Sequence, residues 1–367
     1  MSEPSSNAPP SNTHALWREF CQNLEQAGNA VFADGLAGSA LDETEGVRYL
    51  SRLLRIGLDM HLENADPAFP SFYQASHATA KIGADNPDNF YQNATISGVH
   101  SYRIRGTRGS VPILSFGTKA NRYAVDGTMA STGELDIRDV KCAADGSFEI
   151  IVSKDKPRDK HGENWLPLAD DSSILIVRQT FFDKAAEAPA TVTIETIDAP
   201  TTPQELSTET LASALERVPA FIGGTSAIFR QWAELFRAEH KNSLTTADQA
   251  MFFKAGGDPM IYYLHGWWEL GEGEALRITA TIPDCEGWNF QLNNVWMESL
   301  DYRHHQIHLN NKSAELNDDG TVTLIVAPSG GSHKNHIETA GHNRGTMLWR
   351  WTGAADHPIP TVEVIKL

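Results

Sequence analysis

Apolar residues recur at helical spacing over 16–32, where Leu16, Phe20, Leu24, Ala27 and Val31 form one stripe and Thr13 can cap the start. A second helical stretch opens at Asp42 and sets Val47, Leu50, Leu54 and Leu58 on one face, until Pro67 and Pro70 stop it. From about residue 95 the period changes to two. Tyr102-Arg103-Ile104-Arg105, Phe148-Glu149-Ile150-Ile151-Val152 and Ile174-Leu175-Ile176-Val177-Arg178 are strand-like, and the Gly and Asp-Gly punctuation between them marks hairpins. Helical patterning returns over 202–217 and 226–240, and a second β-rich block runs from about 276 to the end. Residues 1–12 are Ser, Pro and Asn with little apolar content, which predicts a disordered leader.

The two β-rich blocks match each other. Pro87 to Tyr91 answers to Pro259 to Tyr263, Tyr102 to Ile104 answers to Leu276 to Ile278, and Asp145-Gly146 answers to Asp319-Gly320. Asn164 answers to Asn335, Ile174 to Arg178 answers to Thr346 to Arg350, and Thr191-Val192 answers to Thr361-Val362. All six pairs keep their order at offsets of 170 to 174 residues, a spacing that Asp-Gly turns and β-branched runs do not produce by themselves. The expected fold is α+β and β-dominated: a tandem repeat of two antiparallel β-sandwich, jelly-roll-like domains, each preceded by helices. The boundaries expected are 1–12 for the leader, 13–200 for the first unit and 201–367 for the second.

Composition narrows the function. A net charge of −17 repels phosphate backbones and anionic lipid, so neither nucleic acid nor a membrane is an expected partner. No run reaches the ~20 apolar residues of a membrane span, and residues 1–13 lack the basic start of a secretory signal. Cys21, Cys142 and Cys285 lie far apart without a CxxC pair, which argues against a thiolate zinc knuckle or a disulfide framework and makes the cytoplasm the expected compartment. Cys285 follows Pro283-Asp284 in a predicted turn with no activating neighbour, so an inert thiol is expected there.

The run from Gly273 to Asn294 (GEALRITATIPDCEGWNFQLNN), then Trp296-Met297-Glu298-Ser299-Leu300, Ala340-Gly341-His342 and Arg350-Trp351, resembles bacterial proteins of the domain of unknown function 1214 family. The resemblance is mainly to the second half, and looser over Asn164-Trp165-Leu166-Pro167 to Arg178. It implies a β-sandwich and a relation to the 1254 family, and it carries no established chemistry. Asn335-His336 departs from the Asn-Trp pattern seen at Asn164-Trp165.

Candidate chemistry concentrates in the second copy. The last 103 residues hold eight of the 14 histidines and six of the nine tryptophans. Imidazoles move protons near neutral pH, and indoles make flat apolar walls. Glu298, Asp301, His304, His305 and His308 form the sharpest cluster and are the acid–base candidates. As helix, His304 and His308 would be neighbours fit for a metal; as strand, they would share a face with Tyr302, and a metal would need a second strand. The strand period is favoured, and neither a metal nor a nucleotide cofactor is expected. Sheet histidines that are merely solvated or hydrogen-bonded are the competing reading. His265, Trp267, Trp268, Trp296 and Tyr302 are candidate ligand-binding residues, since adjacent tryptophans on a strand face opposite ways and one of them can meet a ligand; the competing reading makes both Trp267 and Trp268 structural, under the connecting helices. The Ser329-Gly330-Gly331-Ser332 loop adds His333 and His342 as a rim. Five basic residues of the first copy, Arg103, Arg105, Arg108, Lys119 and Arg122, look like a solvated sheet face. There is no HExxH, GxSxG, Walker lysine or GxGxxG after a strand.

Two functions follow as expectations. One is a cytosolic hydrolase or lyase acting on a small hydrophobic or polyhydroxylated substrate by paired histidine and carboxylate. The other is a non-catalytic β-sandwich that binds a glycan or another small ligand. A homodimer remains an open arrangement for either.

Overall fold

The computed structural model describes residues 13–158, 163–197, 200–246, 248–328 and 333–367; the 1–12 leader and the 329–332 stretch of the glycine loop lie outside the described residues. Three N-terminal helices come first: α1 (Thr13–Ala27), α2 (Asn29–Phe32) and α3 (Ala40–Leu58). Ser39 starts α3 by accepting the Asp42 backbone N–H at 3.2 Å. The buried face of α3 is Tyr49, Leu53 and Ile56, whereas Val47, predicted to face inward, is 56% exposed. The helix is turned this way because Gly57 lets Val218 and Phe221 of the later helix approach, and Gly46 lies against Trp296.

Helices are also found between the β-rich blocks, as α4 (Thr208–Glu239) and α5 (Gln249–Lys254). Where the sequence predicts two segments, α4 is continuous through Pro219. An interior proline costs about 3 kcal/mol, and each large apolar side chain buried contributes roughly 1.5–3 kcal/mol. Phe221, Ile222, Phe229, Trp232 and Phe236 are all buried on this helix, so packing outweighs the break. The helices of both halves join: α1 and α3 pack on α4. The Arg230 guanidinium donates to the carbonyls of Ala30, Ala33 and Asp34 at 2.7–2.9 Å, tying α4 to the end of α2.

The repeat is fully expressed in the sheets. In the first copy, β1 (Asn89–Thr95), β7 (Ile174–Thr180), β3 (Ile113–Arg122) and β4 (Thr128–Asp136) form one four-stranded sheet in that order. The second sheet is β6 (Trp165–Pro167), β5 (Ser147–Ser153), β2 (Tyr102–Thr107) and β8 (Thr191–Thr196). After an isolated β9 (Ser243–Thr245), the second copy repeats both orders. Its first sheet runs β10 (Ile261–Glu269), β16 (Arg344–Thr352), β12 (Gly287–Leu292), β13 (His308–Asn310). Its second runs β15 (His336–Glu338), β14 (Thr321–Ala327), β11 (Glu274–Thr281), β17 (Thr361–Lys366). Pairs are antiparallel except β5 with β6 and β14 with β15.

Even small devices recur. Asn164 Nδ2 donates to the carbonyls of Lys141 and Glu149, and Asn335 Nδ2 does the same to Glu315 and Thr323. Each sandwich has its own core, with Phe116, Phe148 and Val177 in the first and Trp288, Phe290 and Trp349 in the second. A third core joins the helices to the outward faces of the two β1-type sheets. Those sheets are therefore buried on both sides, which is why β12 and β16 carry almost no exposed residue.

The basic strip is not one solvated face. Arg103 and Arg105 pair with Glu149 and Glu195 on the outer sheet, but Lys119 is fully buried against Glu134, because β3 is covered on both sides.

Candidate functional site

The two inner sheets meet through reciprocal contacts, the pattern of a two-fold dimer joined into one chain. Tyr91 lies opposite Arg178 on β1 and β7, and Tyr263 lies opposite Arg350 on β10 and β16. The Arg178 guanidinium donates to the Gly256 carbonyl at 2.6 Å, and Arg350 donates to the Ala84 carbonyl at 2.6 Å. Gly256 and Ala84 are equivalent positions, and both take positive φ, 93° and 56°. Ser115 Oγ donates to Asp258 at 3.0 Å, while Asn289 Nδ2 donates to Asn86 at 2.6 Å. These contacts are paired by position between the copies.

A cavity of about 170 Å³ lies where these contacts converge. Its walls are largely apolar: Ile56 and Met60 beside α3, Phe229 and Trp232 of α4, Phe252 of α5, and Ile176 with Leu348 from the sheets. Tyr91, Tyr263, Arg178, Arg350, Asn93 and His265 supply its polar groups. The Tyr91 and Tyr263 hydroxyl oxygens accept backbone N–H groups of Asn86 (3.1 Å) and Asp258 (2.8 Å). Burial pushes both phenols up, so each keeps an O–H to donate. His265 is stacked on Phe236 with ring centroids 4.9 Å apart, and Phe252 lies 4.6 Å away. Burial, helped by the Arg350 charge, pushes its imidazole down to about 3, so it is neutral at pH 7. Among the described residues its Nδ1 has no hydrogen-bond partner, and neither does the buried Ser76 Oγ on the same wall. Unpaired buried polar atoms are costly, which makes them the natural contacts of a ligand.

Ser76 and Asn89 also line a wider groove of about 670 Å³ with Phe90, Lys184, Phe181 and Tyr302. The groove and the cavity thus share a wall. Lys81 and Lys184 lie over the Tyr302 ring at 4.7 and 5.8 Å.

Of the residues predicted from sequence, His265 lines the cavity and Tyr302 the groove; the others stand apart. Segment 301–306 is a turn rather than the favoured strand, and strand pairing begins only at His308. His304 is exposed on that turn, and His305 reaches Glu338 at 2.8 Å on the surface. His308 points the other way, 3.1 Å from the buried Asp88. Arg303 bonds Asp301 at 2.8–2.9 Å and holds its carboxyl well below the usual range. Glu298 is buried and paired with Arg52 at 2.6 Å, and burial still pushes its carboxyl up against that pairing. The five acid–base candidates therefore share no reacting point. Among the described residues no three His, Cys, Asp or Glu side chains are grouped so as to hold a metal ion.

The tryptophans are walls of cores, not of a pocket. Trp267 and Trp268 do face opposite sides, yet both are buried, because β10 is covered by helices on one face and by its own sandwich on the other. Trp296 donates to the Asp42 carbonyl at 2.9 Å and stacks on Tyr49. His333 is exposed beside its turn, and His342 is buried 3.7 Å from Asp42. Cys285 is half-buried, and burial with nearby Asp284 pushes its thiol up.

The residues that sequence reasoning missed are Tyr91, Asn93, Arg178, Tyr263 and Arg350. Their signal was present: an arginine stands two residues before the end of an apolar strand at the same place in both copies, opposite a tyrosine.

A family described as "Protein of unknown function (DUF1214)" matches residues 89–180, from the first residue of β1 to the last of β7. An uncharacterized protein from Burkholderia cenocepacia, known from a crystal structure, is 47% identical and aligns over 96% of this chain and 97% of its own, with a TM-score of 0.93. The chain belongs to the DUF1214 family. The match falls on the first copy, not on the second where the quoted motifs lie, although the two copies share one strand order. The VPA0106 protein from Vibrio parahaemolyticus is similar in fold alone, with 10% identity, a TM-score of 0.52 and alignment over 94% of this chain and 100% of its own. No curated protein matches the chain. No helix among the described residues is long and apolar enough to cross a membrane.

Proposed function

We propose that the protein binds one small, mostly apolar molecule in the cavity between its two copies. The observation that carries this reading is a space of about 170 Å³ with aromatic and aliphatic walls and two unpartnered polar atoms, His265 Nδ1 and Ser76 Oγ. An apolar cavity of about 150 Å³ is large enough for a benzene-sized guest. The groove past Ser76 and Asn89 is the route in. Small-ligand binding is favoured over acid–base hydrolysis because the histidines and carboxylates of 298–308 do not meet, whereas the cavity gathers donors around apolar walls.

Phenol is a suitable first probe, with an apolar ring and one hydroxyl for His265. Calorimetric titration is expected to give saturable binding at one site per chain. Ile176→Phe fills the cavity and is expected to weaken phenol at least tenfold while leaving the circular dichroism spectrum unchanged. Equal binding by both proteins, or none by the parent, overturns the reading.

A further inference from the structure

The reciprocal contacts contain one break. Arg178 has an acidic neighbour, Asp258, 3.8 Å away. The position equivalent to Asp258 in the other copy is Asn86, a neutral amide. Arg350 is 4% exposed, and among the described residues its hydrogen bonds run only to neutral oxygens: Gln291 Oε1 at 2.5 Å, Asn289 Oδ1 at 3.3 Å and the Ala84 carbonyl. Asp85 and Asp88 lie close enough for their charges to be felt, but their oxygens are engaged elsewhere. Asp85 accepts from Ser299 N and Oγ, and Asp88 accepts from Asn289 and Asn310 and pairs with His308.

A buried cation without a paired anion is costly, and the cost is relieved when an anion arrives. The cavity is arranged for that arrival. Arg350 lines it, as do the hydroxyls of Tyr91 and Tyr263, whose O–H groups remain available. The two arginines also respond oppositely to their surroundings: Asp258 holds Arg178 above the usual guanidinium value, while burial draws Arg350 below it.

Resting on the ligand-binding reading above, we infer that the ligand is a small aromatic or aliphatic carboxylate whose carboxylate docks on Arg350 between Tyr91 and Tyr263 and whose apolar body fills the cavity. A carboxylate is preferred to a neutral amide of the same shape because it converts the uncompensated guanidinium into a charge-assisted pair.

Benzoate and benzamide differ in little but that charge and test the inference on the full-length protein by isothermal titration calorimetry. Benzoate is expected to bind about tenfold or more tighter than benzamide. Arg350→Met is expected to abolish the difference while benzamide still binds. Should that variant fail to fold, Asn86→Asp gives Arg350 the acidic neighbour that Arg178 already has, and it too should remove the preference for benzoate. Equal or weaker binding of benzoate by the parent protein, with benzamide or phenol bound, overturns the carboxylate inference and leaves the cavity reading standing. Binding of none of the three probes overturns both. A preference for benzoate that survives both Arg350→Met and Asn86→Asp also refutes the role of Arg350.

Discussion

His265 combines burial, neutrality and an unmade hydrogen bond in one side chain. Its equivalent in the first copy is Asn93, also on the cavity wall. Folding holds the imidazole down to about 3, far below the ordinary value near 6.5. The folded pKa is depressed, so the unfolded chain binds the proton more readily. The stability this group contributes is complete above about pH 6.5 and is lost as pH falls toward 3. Between pH 7 and pH 5 the expected loss is roughly 2 kcal/mol. Urea unfolding at both values, for the parent and for His265→Asn, checks it: the variant should lose that much less on acidification. An unchanged difference would show that other groups carry the acid sensitivity. Arg52 and Glu298 illustrate the opposite case, where a buried carboxylate is tolerable because a guanidinium sits 2.6 Å away.

At the scale of elements, α4 does the joining. It packs on α1 and α3, reaches β10 and β16, and contributes three aromatic side chains to the cavity wall. Gly224, in its middle, is there for close approach: a Cβ at this position would come 2.1 Å from the Tyr123 carbonyl oxygen. That neighbour is backbone and cannot rotate away. Gly224→Ala is therefore expected to destabilise by about 1–3 kcal/mol, although alanine is the better helix former. A thermal melt of the variant decides; a rise in midpoint would mean that α4 shifts freely.

The element scale also explains what was legible in the sequence. Alternation and Asp-Gly turns marked the strands, and the matching anchors of the two copies marked the duplication, because local spacing survives in the chain. The continuity of α4 through Pro219 was hidden, since only tertiary packing outweighs the local break. The inward face of α3 was misjudged for the same reason, whereas the double burial of Trp267 and Trp268 is the structural reading that the sequence left open. Histidine and tryptophan abundance proved a poor guide to the site, because the tryptophans serve two separate cores and several of the histidines lie on a surface turn. Arg178 and Arg350 were legible only as matching anchors of the repeat, because a charge late in an apolar strand resembles an exposed position until a second sheet covers it.

Across the whole molecule, the third core holds the two sandwiches and the helices together. The halves are therefore expected to unfold as one unit. Seven of the nine tryptophans lie in the second copy and α4, so their emission follows mainly those parts, and amide exchange on β2 and β5 follows the first copy. Both should report the same midpoint in denaturant. Separate midpoints would mean that each sandwich is stable without its neighbour and that the shared core adds little.

In a pair of identical subunits, any substitution at the shared surface is introduced twice, and both walls of a central pocket change together. Here the walls belong to one polypeptide but to different positions in it. One side can be altered while the other stays as it is, so the shape and polarity of the cavity are adjustable in single steps that a symmetric assembly could not take.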